Sequence, residues 1–153
     1  MQFSSAIVSA ITVALASAAA IEQRYNLFQV SDFSAACVPH SSQCLYSLTV
    51  IQPGSMEKVG VKCTALVTGN ANGTLPNIPQ WGGSCGDSSR TFWATREDAG
   101  LNFFVSQPVS VASNQTAIHL LPNSDFTMVP TTIGDIQSYT GPSSFGLEET
   151  YDY

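Results

Sequence analysis

The chain has 153 residues and a formal net charge of −6, and its five lysine and arginine residues are scattered rather than clustered. A phosphate backbone or an anionic membrane surface would repel such a chain, so nucleic acid is not an expected partner. Only 10% of the residues are charged, so serine, threonine, asparagine and glutamine must supply much of the solubility.

The N-terminal segment, residues 1–20, predicts a secretory signal peptide. Its apolar run over 6–16 is shorter than the roughly 20 residues that span a bilayer. Small residues follow the run, and signal peptidase accepts these, so cleavage is expected after Ala18 or Ala20. No lysine or arginine precedes the run, which is atypical, but the alternative of a buried amphipathic helix lacks a polar face. We therefore expect a secreted protein with no transmembrane segment.

The remaining domain, residues 21–147, reads as short strands and turns. Apolar and polar residues alternate over 44–50 and 59–67, the pattern of half-buried strands, with Leu66 as an exception. Further strands are predicted at 28–31, 91–95, 101–105, 116–121, 126–129 and 133–139. Their spacing predicts one all-β domain, a small antiparallel β-barrel or sandwich. The segment over 69–86 reads as a long irregular loop.

All four cysteines lie in this domain, and an even count in a secreted chain predicts two disulfides. Three pairings are possible. We favour Cys37–Cys44 with Cys63–Cys85, because the first two cysteines flank a predicted hairpin turn. A zinc site is the rival interpretation, but no Cys-x-x-Cys spacing is present, so no metal is expected.

Two asparagines, Asn72 and Asn114, begin Asn-x-Thr sequons in polar, turn-like stretches. Both are therefore predicted sites of N-linked glycosylation. The acidic end of the chain, residues 148–153, is expected to be a disordered, solvated tail.

No catalytic motif is present. The sequence has neither a Gly-x-Ser-x-Gly nucleophile turn, nor a His-Glu-x-x-His zinc motif, nor a phosphate loop, so neither an enzyme nor a bound cofactor is expected. His40 lies in the predicted turn between two cysteines, and His119 lies in an apolar strand. A triad of His119 with Asp125 or Asp135 and a serine is the least favoured alternative, since triads are recognised in space and not in sequence.

One tryptophan, Trp81, lies in a glycine-rich context, Pro-Gln-Trp-Gly-Gly. If it is exposed, it predicts an anchor for a binding partner, because aromatic residues dominate binding hot spots. If it is buried, it fills one end of the core. Trp93, inside a predicted strand, is expected in the core.

Three stretches together resemble a known family. The first covers residues 28–33, Cys37-Val38-Pro39-His40-Ser41 and residues 44–46. The second is 51–58, and the third is 137–142 with Phe145. In these stretches the chain resembles the necrosis-inducing or hypersensitive-response-inducing secreted effectors of plant-associated fungi. The resemblance covers essentially the whole chain after the signal peptide, and the Cys-x-Pro-His-Ser turn is its most specific element.

The resemblance implies a non-enzymatic, β-barrel-like effector that induces plant cell death. It also implies suppression of pattern-triggered immunity through binding of host immune kinases, including co-receptor kinases at the plasma membrane. Secretion, followed by delivery to the host cytoplasm or plasma membrane, is implied as the location, and a monomer is expected. The family's C-terminal region, from about Pro122 onward, is thought to matter. Here the residues implied in partner binding, beside Trp81, are Tyr139, Thr140, Gly141, Pro142 and Phe145.

An alternative function is the binding of a small apolar plant compound inside the barrel. Four predicted inward-facing rings would line such a cavity: Phe28, Tyr46, Phe92 and Phe103.

Overall fold

The computed structural model describes residues 25–150. The predicted signal peptide and the last three residues of the predicted tail lie outside this range. Within it, the chain forms ten β-strands, one 3-10 turn at Asn123–Asp125 and no α-helix. The strands are β1 Asn26–Cys37, β2 Gln43–Ile51, β3 Val61–Thr68, β4 Ile78–Cys85, β5 Thr91–Glu97, β6 Gly100–Ser110, β7 Ser113–Pro122, β8 Phe126–Thr131, β9 Gly134–Tyr139 and β10 Phe145–Thr150.

Eight of the strands form a closed antiparallel barrel in the order β10-β7-β6-β5-β4-β3-β2-β1, and pairing of β1 with β10 closes the ring. Strands β8 and β9 form a hairpin outside the ring, attached to β1 by one bridge between Ala36 and Ser138. Of the two expected architectures, the barrel is therefore confirmed.

The interior of the barrel is filled by side chains. The alternation seen in the sequence turns Phe28, Tyr46, Phe92 and Phe103 inward, and all four are 0% exposed. A cavity large enough for a water molecule would leave some accessible surface on the side chains that line it. Because these four side chains have none, no such cavity lies beside them. Eight strands give an interior about as wide as packed side chains require. These rings therefore form the core and leave no room among them for a small apolar ligand.

Two strands, β4 and β10, were not predicted from the sequence. β4 lies within the segment that reads as an irregular loop, because its alternation is broken. Ile78 pairs with Ala94, and Gly83 pairs with Phe92. Between these two pairs the chain advances five residues along β4 but only two along β5. The three extra residues form a large bulge, which no periodic pattern reveals.

Two other expectations need correction. Val59, the first residue of the strand predicted over 59–67, lies before β3 begins and is exposed. The predicted tail is not disordered at its start, since Glu148 to Thr150 belong to β10 and pair with β7. Leu147 is buried in the core, while Glu148 takes the outer side of the same strand. Glu148 therefore lies on the solvent side of a strand that closes the barrel.

Both disulfides are confirmed as Cys37–Cys44 and Cys63–Cys85. Each joins residues that lie directly opposite each other on neighbouring strands. The first ties the ends of the β1–β2 hairpin, and the second joins β3 to β4. The β3–β4 ladder itself contains only the pairs Cys63–Cys85 and Thr64–Ser84, so the disulfide lies at the one end where these two strands are paired.

A buried arginine closes one end of the barrel. The guanidinium of Arg90 donates two hydrogen bonds to the carboxylate of Glu57, at 2.8 and 2.9 Å, and one to Gln107 at 2.7 Å. It also donates to the carbonyl of Val50 at 3.3 Å and lies 5.5 Å from the ring centre of Phe28. A buried cation is tolerated only when it is paired in this way.

A second arginine closes the other end, six residues and about 20 Å further along β5. Arg96 donates to the side-chain oxygen of Gln137 at 3.0 Å, and its guanidinium lies 4.9 Å from the ring centre of Phe126. The β8–β9 hairpin is thereby held against this end of the barrel.

The filled interior predicts the effect of a single added methyl group. A Cβ at position 83 would overlap the ring of Phe92. We expect Gly83→Ala to destabilise the protein by about 1–3 kcal/mol, the usual cost of overpacking a core. Urea unfolding measures this, with the outward-facing Ser84→Ala variant as the control, which should change stability by less than about 0.5 kcal/mol. Equal stability of both variants would show that the interior has spare room.

The Arg90–Glu57 pair predicts a dependence of stability on pH. The hydrogen bonds from Arg90 lower the pKa of Glu57 below 4.5. The ionised carboxylate therefore stabilises the fold above pH 4.5, and this contribution is lost as the pH falls through the native pKa. We expect Glu57→Gln to cost about 1–3 kcal/mol at pH 7 and much less at pH 3. A cost that is the same at both values in urea unfolding would contradict this role.

Candidate functional site

Trp81 lies on the outer wall of the barrel, within the bulge of β4. Its side chain is 45% exposed. Its backbone has φ +66°, a conformation that is a clear outlier for a bulky side chain. Holding a residue there costs about 1–3 kcal/mol, and such strain is concentrated at functional sites. The bulge thus directs a large aromatic ring toward solvent at an energetic cost.

The ring of Trp81 does not project alone. It packs edge-on against Trp93 of β5, with the ring centres 4.7 Å apart. Trp93 in turn stacks on Phe104 of β6 at 5.0 Å, nearly parallel at 6°. We call these three residues the Trp81 platform. Phe92 and Phe103 face the interior, so the residues that follow them, Trp93 and Phe104, face the outside of the barrel. Trp93 is nevertheless buried, because the ring of Trp81 covers it.

The local sequence explains why this platform forms. The ring of Phe92 occupies the space that a side chain at position 83 would need. Glycine at this position therefore allows β4 to lie close to β5. Gly82 likewise lies against the carbonyl of Pro79, where a Cβ would be too close. The two glycines therefore let the chain fold into the bulge that carries Trp81.

The residues next to the platform on β5 and β6 are polar and uncharged, and Glu148 lies beyond Asn102 on β10. Thr91 and Thr95 flank Trp93 on β5, and Asn102, the partner of Thr95 in the ladder, precedes Phe104 on β6. A rigid aromatic surface with a polar, uncharged margin resembles the central part of a protein interface. It loses little conformational entropy on binding, since Trp81 is already held by Trp93.

The predicted C-terminal binding residues lie elsewhere and mostly serve packing. The hydroxyl of Tyr139 donates to the carbonyl of Pro142 at 2.9 Å, and its ring lies 4.8 Å from Phe33. Burial and the nearby carboxylate of Asp125 raise the pKa of Tyr139 to about 12, so the hydroxyl stays protonated. Tyr139 and Pro142 thus stabilise the connection between β9 and β10, two strands that both run antiparallel to β1.

The other three residues of this stretch are also involved in local contacts. The N–H of Thr140 donates to the carbonyl of Asp125 at 2.7 Å. Gly141 lies so close to the carboxylate of Asp125 that a Cβ there would clash. Phe145 is buried, with its ring 5.3 Å from that of Phe33. In the ring of eight strands β10 is four strands from β4 in either direction, so the structure does not bring Phe145 and Trp81 together.

The two histidines do not form a catalytic centre with residues that the structure describes. His40 is exposed in the β1–β2 turn. His119 stacks on Phe145, with ring centres 4.5 Å apart, and the backbone of Gly146 accepts its hydrogen bond. Within residues 25–150, no serine, threonine or cysteine side chain is hydrogen-bonded to His119. Nor does this range contain a cluster of three or more histidine, cysteine or acidic side chains suited to a metal ion.

The asparagines of both sequons are exposed. The side-chain oxygen of Asn72 accepts hydrogen bonds from the N–H and the hydroxyl of Thr74, at 3.2 and 2.6 Å. Asn114 is exposed near the start of β7, while Thr116 is buried and hydrogen-bonded to Ser106. Glycosylation at both positions stays a prediction. In the described part of the chain no helix is long and apolar enough to cross a membrane.

No protein-family model matches the chain, and no curated protein or solved structure is detectably similar to it. The resemblance to the necrosis-inducing effectors therefore stays a prediction. The fold, both disulfides and the Trp81 platform are the observations on which a function can be proposed.

The burial of His119 predicts a further dependence of stability on pH. Burial lowers its pKa below 6.5. As the pH falls from 6.5 toward the native pKa, the unfolded chain binds a proton that the folded protein does not, so His119 makes the fold less stable. We expect His119→Gln to remove this loss, so that the wild type loses more stability than the variant between pH 7 and pH 5. Parallel losses in urea unfolding would contradict it.

Proposed function

We propose that the protein is a secreted effector of a plant-associated fungus that binds a host plant protein through the Trp81 platform. The observation that carries this proposal is the half-exposed Trp81 ring, held by Trp93 in a backbone conformation with φ +66°. Trp is the residue type most enriched at binding hot spots. A strained conformation that exposes it is explained by a partner.

The rest of the barrel supports binding at the outer wall. The interior is filled by Phe28, Tyr46, Phe92 and Phe103, so we do not propose a ligand there. Two disulfides in a barrel of this kind fit an oxidising, extracellular setting. A stapled scaffold that presents a rigid aromatic surface is suited to recognition of another macromolecule.

The partner that we propose is a host immune receptor-associated kinase, as the resemblance to the effector family implies. The site adds a chemical requirement to this choice. An indole with an uncharged margin calls for an apolar pocket, and the net charge of −6 favours a partner surface that is neutral or basic. Binding of this kind would lead to the dampened immunity and cell death that the family produces.

Replacement of Trp81 by glycine tests the proposal without unfolding the protein. Glycine adopts φ +66° without strain, which offsets the loss of ring contacts, so stability should change by no more than about 1 kcal/mol. We expect Trp81→Gly to lose most capture of host kinase domains in pull-down assays and most cell death on leaf expression.

The control is Met56→Gly, which removes an apolar side chain that is almost fully exposed, in the β2–β3 loop away from the platform. It should bind and act as the wild type does. If Trp81→Gly also behaves as the wild type, the platform is not the binding site. If the wild-type protein neither captures a kinase domain nor causes cell death, the effector function itself is wrong.

A further inference from the structure

The backbone pairing of the barrel wall is interrupted beside Trp81. The ladder between β3 and β4 ends at Thr64–Ser84, although β3 continues to Thr68. Continuing the same register would place Leu66 opposite Gly82, next to Trp81 in the bulge. We call the edge of β3 over Leu66 and Thr68 the β3 seam.

The backbone groups of the seam can be assigned from the pairing with β2. The N–H of Gly69 donates to the carbonyl of Ser42, which fixes which residues of β3 bond to β2. In an antiparallel ladder, residues whose backbone groups bond to the neighbouring strand alternate with residues whose backbone groups point the other way. The backbone N–H and C=O groups of residues 65, 67 and 69 therefore point toward β2, whereas those of Leu66 and Thr68 point toward β4. Because the bulge removes β4 from the ladder at this level, the N–H and C=O groups of these two residues lie outside it.

The exposed edge of the β8–β9 hairpin is protected, which makes the seam distinctive. Strand β8 is the outer strand of its hairpin, but Pro130 has no N–H and the N–H of Phe126 is bonded to the carbonyl of Asn123. Proline and short length are the usual ways to prevent strand addition at an edge. Strand β3 has no proline and no charge at Leu66 or Thr68.

The side chains at the seam are apolar and uncharged. Leu66 is an exposed large apolar residue, and it faces outward together with Thr64 and Thr68. Trp81 lies on β4, across from the seam. An extended segment lying along the seam would meet the side chain of Leu66 and the indole, and its backbone would face the N–H and C=O groups of Leu66 and Thr68 that lie outside the β3–β4 ladder. Acidic residues in that segment would be disfavoured by the net charge of −6.

We propose that a short, extended, non-acidic segment of the host protein adds as a strand to the β3 seam, with Trp81 packing on one of its apolar side chains. This inference rests on the proposed function and specifies its binding mode. In strand addition the backbone hydrogen bonds supply affinity and the neighbouring side chains supply specificity. The bulge of β4 serves both needs, since it opens the edge and positions the indole.

The first arm of the test uses the free protein alone. Hydrogen–deuterium exchange followed by NMR should show fast exchange for the amides of Leu66 and Thr68 and slow exchange for Ala65 and Val67. Slow exchange at Leu66 and Thr68 would overturn the proposal whether or not a partner is found. Exchange that slows with protein concentration alone would show that a second copy occupies the seam, which also overturns it.

The second arm compares Leu66→Pro with Leu66→Val in binding of the kinase domain that the wild type captures. Proline removes the N–H that faces the seam and leaves the bonds to β2 in place, whereas valine keeps the N–H and an apolar side chain. We expect Leu66→Pro to weaken binding at least about fivefold relative to Leu66→Val. Equal binding of the two variants would overturn strand addition while the role of the Trp81 platform stands. No binding by the wild type would overturn both.

Discussion

Pairing of β1 with β10 is the constraint on which the rest of the structure depends. It joins Asn26 to Glu148 and Val30 to Phe145 and turns an open sheet into a ring. A closed ring has no edge strands, and with eight strands its interior is taken up by side chains. Recognition is therefore left to the outer wall and to the few places where the ladder is interrupted. Strand β4 provides the largest interruption, and both proposals depend on it.

The filled core and the exposed platform are two sides of the same wall. Phe92 occupies the space over Gly83, and its neighbour Trp93 must then face outward, where Trp81 covers it. The bulge that carries Trp81 also ends the pairing with β3. The close packing of Phe92 on Gly83, the strained backbone of Trp81 and the unpaired stretch of β3 thus have a common origin in the glycine-rich sequence before Cys85. Disulfide Cys63–Cys85 holds the two strands together next to this irregularity.

Alternation predicted the all-β class, most strands and the four central rings, because a half-buried strand must place apolar residues on one side. It missed β4, since three extra residues destroy the period of two. It also misread Glu148, because acidic residues on the outer side of a closing strand resemble a solvated tail. The exposure of Trp81 was one of two open alternatives. The packing of Tyr139 and Phe145 was not predicted, since contacts with Phe33 depend on how a distant hairpin folds over the barrel.

The chain contains two tryptophans, and both belong to the platform, so a fluorine label on tryptophan reports on this site alone. The most direct measurement is the ¹⁹F NMR spectrum of 5-fluorotryptophan-labelled protein, recorded while the captured host kinase domain is added. Our account predicts that the Trp81 resonance shifts or broadens in proportion to complex formed and that it loses its exposure to solvent. Formation of the complex with both resonances unchanged would contradict the claim that the protein acts through this part of its outer wall.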